Sequence, residues 1–444
     1  MARNHIAAYG EVRMLFSDID ILDENLDYRR HRWVGVRGGR IAYVGGEPPE
    51  DAGTYGETYP GAGRLLMPAL YNAHAHAAMT LLRGYAENLP LQSWLSDAVW
   101  PFEAKMTAED DYWGTLLACA EMARYGVVGF SDMYYHAPER VHAVLQAGMK
   151  MNVGEAAVFS EDKPFADYPV CAQTEEYVRT LHGKGDGAIR VDYTIHAEYT
   201  SNPRVCADIA QAAREAGLGI HVHVSETRSE HEECKGRHGG MTPVRYLESL
   251  GVLDVPVLAA HCVWAEDDDI RILAEHGASV ALCPASNMKL GSGFAPASKL
   301  LDAGVNVCLG TDGMASNNNH DLFKDMYLMA TVYKGSELDP AIITPKQVVR
   351  AATRAGALAQ GRDDCGLVKE GMRADLCVLD TTGPSWWPMT DPLVNVVYAG
   401  HGSDVVLTMC DGRTVYREGE WPGIDVERAK AEVSVRAARI ISEL

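Results

Sequence analysis

Between residues 65 and 311, short apolar runs alternate with stretches whose apolar positions recur every three or four residues. The runs at 65–71, 127–132, 151–158, 190–196, 219–225, 257–262, 279–284 and 305–311 are nearly continuous and short. Such runs predict strands buried on both faces. Among the intervening segments, 109–125, 204–216, 267–276 and 321–333 carry the helical period. Strict alternation of strand and helix predicts a parallel sheet. Eight units predict an α/β chain folded as a (β/α)8 TIM-type barrel rather than an open sheet.

The two ends carry another pattern. Trp33 to Arg37 and Arg40 to Val44 flank Gly38-Gly39, a hairpin signal. Near the other end, 374–380 reads as a strand and 405–416 as a hairpin turning at Asp411-Gly412. Neither end can bury its apolar face alone, so both are expected to join in one small β-sandwich domain. The predicted division is 1–66 and 362–444 for that domain, with the barrel over 67–361.

Composition narrows the function. Forty basic against 61 acidic side chains leave a formal charge of −21 over 444 residues, which opposes nucleic-acid and anionic-membrane partners. No apolar run approaches the ~20 residues that span a bilayer. Met1-Ala2-Arg3-Asn4-His5 leads into no signal-like segment, so a cytoplasmic protein is expected. Ten cysteines lie singly from Cys119 to Cys410 with no C-x-x-C pair, and read as reduced and buried.

Polar residues interrupt the strands at their ends. His74 and His76 follow the first run, His196 ends the fourth, His223 and Ser225 the fifth, His261 the sixth, and Asp312 follows the eighth. Barrel enzymes gather their chemistry at that mouth, from several strands. His74-Ala75-His76 in an extended segment points both imidazoles to one side. Two imidazoles suit a borderline metal, although two hydrogen-bonded histidines explain this motif about as well by itself. A third histidine and Asp312 complete a His3Asp set, which is far more specific. In His221-Val222-His223 only one histidine need be a ligand, and His221 reads as a satisfied buried side chain. Glu226, in the loop after His223, is a proton shuttle if burial raises its pKa, and a solvated loop residue otherwise. Gly310 and Gly313 allow close backbone approach. H-E-x-x-H and the H-x-E with P-C-x-x-C signature are absent.

With these residues in hand, the chain resembles the amidohydrolase superfamily, and within it the methylthioadenosine/S-adenosylhomocysteine deaminases and their chlorohydrolase and guanine-deaminase relatives. The resemblance rests on Pro68-Ala69-Leu70-Tyr71-Asn72-Ala73-His74-Ala75-His76-Ala77-Ala78-Met79, Ser286-Asn287-Met288-Lys289-Leu290 and Leu309-Gly310-Thr311-Asp312-Gly313. Gly371 to Leu376 looks like the return into the family's small β domain.

The resemblance implies one divalent metal, zinc before Fe2+ or another ion, held by His74, His76, His223 and Asp312. Glu226 would protonate the purine ring nitrogen, His261 would position the attacking water, and Asp312 would accept its proton. Trp94 would contact the base, Glu103 the ribose hydroxyls, and His196 would lie near the substrate. The expected activity is hydrolytic deamination of adenine nucleosides, replacing the 6-amino group by hydroxyl with release of ammonia. The alternatives are another aminated or chlorinated heterocycle (a triazine, guanine or a pterin) and, more remotely, a metal-free structural homologue. A small molecule is the expected partner, and a homo-oligomer is left open. One departure stands out. Relatives that use S-adenosylhomocysteine grip its carboxylate with arginines after the third strand. Here 151–177 holds no arginine and only Lys163, leaving Lys163 or Arg228 as substitutes.

Overall fold

A computed structural model describes residues 13–444. Met1 to His5 and the start of the 1–66 segment lie outside the described residues.

The central strands form two five-stranded parallel sheets whose order follows the chain. The first runs Asp312–Gly313, Leu70–His76, Val127–Tyr134, Lys150–Glu155, Ile189–Val191. The second runs Tyr193–Ile195, Ile220–Val224, Val257–His261, Ser279–Leu282, Asn306–Leu309. Every residue of Val127–Tyr134 is buried, as expected for strands covered on both faces. The predicted helices appear as Ala108–Arg124, Pro203–Ala216, Asp267–Glu275 and Leu322–Glu337. Thr107 and Asn202 cap the first two, accepting from Asp110 N and Val205 N.

Strands from both ends share one eight-stranded sheet. Its path is Arg413–Arg417, Val405–Cys410, Leu376–Asp380, Arg64–Pro68, Arg13–Leu22, Tyr28–Arg37, Arg40–Gly45, with Glu57–Pro60 beside Arg13–Leu22. Phe16, Val34, Leu376 and Leu407 pack in one apolar cluster that draws on both chain ends.

One predicted strand is corrected. The run 65–71 is not a single barrel strand, because the chain changes sheets at Pro68 and Ala69. Arg64–Pro68 pairs with Arg13–Leu22 and Leu376–Asp380. Ala69 N then donates to Asp375 O, and Leu70 N to Gly126 O. The sequence hides this switch because both segments are buried, so the apolar run never breaks. Accordingly His74 and His76 lie inside a strand, not after it. All ten cysteines are free and buried. Among the described residues, no helix is long and apolar enough to cross a membrane.

Candidate metal centre and pocket

The histidines meet at the carboxyl ends of the parallel strands. His76 Nδ1 lies 2.6 Å from Met133 O, and His223 Nδ1 lies 2.6 Å from His196 O. A carbonyl only accepts, so each Nδ1 carries a proton and each Nε2 is left with a lone pair. Those two Nε2 atoms face each other at 3.3 Å. Two lone pairs so placed repel unless a positive centre lies between them.

Asp312 supplies the opposing charge. Its Oδ1 is 3.4 Å from His74 Nε2 and 3.2 Å from His76 Nε2. The other oxygen accepts from Ser286 Oγ at 2.6 Å and Ser316 Oγ at 3.2 Å, which fixes the carboxylate's orientation. Burial alone would raise its pKa, but His74 and His76 outweigh burial and hold it well below the usual range. In the same pairing, burial pulls His76 down but Asp312 pushes it up to about 9. His74 Nε2 is buried without a hydrogen-bond partner, while its Nδ1 meets His221 Nε2 at 2.8 Å. An orphaned buried nitrogen aimed at a carboxylate and two more nitrogens fits a divalent ion with nitrogen and oxygen ligands.

Above the cluster, Glu226 and His261 approach each other at 3.9 Å. Burial, reinforced by the Asp312 charge, pushes Glu226 up to about 8. Burial lowers His261, and Asn287 Nδ2 lies 3.1 Å from its Nδ1.

These groups open into a single cavity at the carboxyl ends of the strands. His76, His223, Asp312, Glu226, His261, Trp94, Glu103 and His196 all line it. Of the site residues the sequence proposed, only His74 does not, lying fully buried beneath. Burial pushes Glu103 up to about 7, against the pull of the Tyr134 hydroxyl. Leu91, Leu95, Val99, Trp100 and Leu290 add apolar walls. Among the described residues no lysine or arginine lines the cavity. Neither substitute cation reaches it: Lys163 pairs with Glu161 at 3.3 Å, and Arg228 lies over the Trp264 ring at 5.7 Å.

Sequence reasoning missed the residues that orient Asp312 and His261. Ser286 and Asn287 act across the barrel mouth on Asp312 and His261, and Ser316, four residues beyond Asp312, turns back onto the same carboxylate. The Ser286-Asn287 pair stood in a recognised motif, but nothing in its spacing assigned it a role. His221 is buried and satisfied as read, yet its partner is His74 itself.

Residues 65–415 match the amidohydrolase family. A 5-methylthioadenosine/S-adenosylhomocysteine deaminase of Pelotomaculum thermopropionicum is 40% identical over 413 residues, 92% of this chain and 94% of that protein. A 5'-deoxyadenosine deaminase of Methanosarcina mazei is 39% identical over 413 residues, 93% of this chain and 94% of its own. The crystal structure of an adenosine deaminase from Xanthomonas campestris with bound zinc superposes with a TM-score of 0.91 at 31% identity, covering 97% of this chain and 99% of that one.

Proposed function

The chain belongs to the amidohydrolase family, with its TIM-barrel fold, and on that premise we propose that it is a metal-dependent hydrolytic deaminase of adenine nucleosides. The 6-amino group leaves as ammonia and hydroxyl takes its place. One observation carries the reading: three imidazole nitrogens and Asp312 Oδ1 converge beneath a pocket that also holds Glu226 and His261.

The barrel is read as closed, since its two sheets are continuous across Asp192 on one side and across Gly310 and Thr311 on the other. The sheet of both chain ends is read as the small sandwich domain of 1–66 and 362–444, entered and left around 67–361.

His74, His76, His223 and Asp312 would hold the ion, zinc first, and bound there it supplies a Lewis acid able to bring the pKa of a water from 15.7 towards about 7. Glu226, protonated at neutral pH by its burial, donates to the purine ring nitrogen beside the reacting carbon. Asp312, held ionised, accepts a proton at the same mouth. His261, fixed by Asn287, orients the attacking water. Trp94 offers an apolar face to the base. Glu103 receives ribose hydroxyls, which favour its charged form as the tyrosine hydroxyl does.

The cation-free pocket sets the preference among nucleosides. A carboxylate tail entering it sheds water without gaining a charged partner, at about 1.5–3 kcal/mol for each contact forgone. Methylthioadenosine and 5'-deoxyadenosine are therefore expected to exceed S-adenosylhomocysteine in kcat/KM by roughly tenfold to a hundredfold. Ammonia release from the three substrates, side by side, is the test. Preference for S-adenosylhomocysteine defeats the specificity argument. Turnover of none of them, with activity on a triazine, guanine or a pterin, defeats the nucleoside reading.

A further inference from the structure

We propose that Glu230 is a positioning residue for Glu226, its buried carboxylate holding the loop from which the Glu226 carboxyl reaches the pocket. The inference rests on reading Glu226 as the proton donor.

Glu230 stands in the first turn of the helix Arg228–Arg237 and is only 3% exposed. A glutamate at this position ordinarily reaches back to one backbone N–H, that of the capping residue. Here it takes three in succession. Oε1 accepts from Ser225 N at 2.9 Å, and Oε2 from Glu226 N at 2.7 Å and Thr227 N at 3.4 Å. Thr227 Oγ1 returns the contact by accepting from Glu230 N at 3.2 Å.

The loop needs such a clamp. Ser225 sits in the left-handed region at φ 49°, which a non-glycine residue keeps only when its surroundings enforce it. Its remaining groups are tied as well: Ser225 O accepts from Trp264 N at 3.0 Å, and Ser225 Oγ lies 3.2 Å from His231 Nδ1. The Glu226 carboxyl differs. Among the described residues no side-chain hydrogen bond anchors it, and its nearest ionic neighbour is His261 Nε2 at 3.9 Å. A proton donor must stay mobile enough to give its proton away, so its placement comes from the backbone below. Glu230 supplies that placement without touching substrate. Displacing a reacting group by about 1 Å costs on the order of a hundredfold in rate.

The test is a double-mutant cycle on the metal-loaded enzyme, with Glu230→Ala and Glu230→Gln made in the wild type and in Glu226→Gln. Glu230→Ala is expected to lower kcat by about 10–100-fold, with KM and metal content near the wild-type values. Glu230→Gln keeps one oxygen acceptor and should recover part of the loss. In the Glu226→Gln background, either substitution should change kcat less than about threefold, because the group it positions is already disabled. Equal losses in both backgrounds, or parallel loss of metal and KM, would overturn the proposal. If Glu230→Ala does not fold, the Glu230→Gln arm of the cycle decides. Wild-type turnover by Glu226→Gln would remove the proton-donor reading and this inference with it. A slow Glu226→Gln with an additive Glu230 loss removes the inference alone.

Discussion

Each imidazole in the centre is held at its outer nitrogen and presented at its inner one. His76 is tied to Met133 O, His223 to His196 O, and His74 to the ring of His221. The first two partners are backbone and survive any side-chain change, whereas the third is a side chain. If His74 binds the ion as proposed, His74→Ala should lose both metal and activity. Removing His221 leaves the four proposed ligands but frees the His74 ring, and loss of such a partner typically costs about 10–100-fold in metal affinity. Elemental analysis should find about one ion in His221→Ala at saturating zinc, with faster loss to a chelator. Full retention of metal by His74→Ala would break the assignment. Glu226→Gln keeps the shape of the site and removes an acid. Its metal should stay while turnover falls by roughly 10²–10⁴-fold; a metal-free variant would make Glu226 a ligand.

At the level of elements, the site depends on how closely two strands approach. Gly310 lies between Asn306–Leu309 and Asp312–Gly313, against the middle of Leu70–His76. A Cβ added there would meet His74 Cβ at 2.8 Å, His74 N at 2.9 Å and His74 O at 3.0 Å. Two of those atoms are backbone and cannot yield without moving His74. At Gly313 the nearest atom is Met79 Sδ, the far end of a flexible side chain. Gly310→Ala is thus expected to cost about 1–3 kcal/mol in stability and to weaken metal binding, with Gly313→Ala milder in both. Thermal melts and metal content of the two variants check the order, and a reversed order would refute it. The sequence offered both glycines as points of close approach; which neighbour each meets came from the pairing of strands distant in the chain.

Across the whole molecule, buried titratable groups pull stability in opposite directions with pH. Burial lowers His320 to about 4, so it stays neutral in the fold while an unfolded chain protonates it below about 6.5. The unfolded state then binds more protons, and this contribution is complete above 6.5 and is lost as pH falls towards 4. Asp325 acts the other way, since burial pushes it up to about 7 and the fold retains a proton that an unfolded carboxyl releases. A total pH profile therefore cannot isolate either group, but a comparison can. Relative to His320→Gln, the wild type should lose at most about 1.4 kcal/mol for each pH step below 6.5. Parallel melting curves of the two proteins from pH 7 to 5 would show that His320 titrates alike folded and unfolded.

The sequence by itself determined the alternation of strand and helix, the strand-like ends and the residue types able to bind a metal. Periodicity and side-chain chemistry are local properties, and they are readable along the chain. It could not reveal the switch at Pro68–Ala69, because a buried residue is apolar whichever sheet buries it. Nor could it show that His221 supports His74, that Ser286 and Ser316 fix Asp312, or that Glu230 clamps the Glu226 loop. Apart from the Ser316 and Glu230 contacts, which are local, those contacts join residues far apart in the chain. Their hydrogen bonds exist only once the parallel strands have brought their carboxyl ends together, and that convergence is what only the tertiary structure decided.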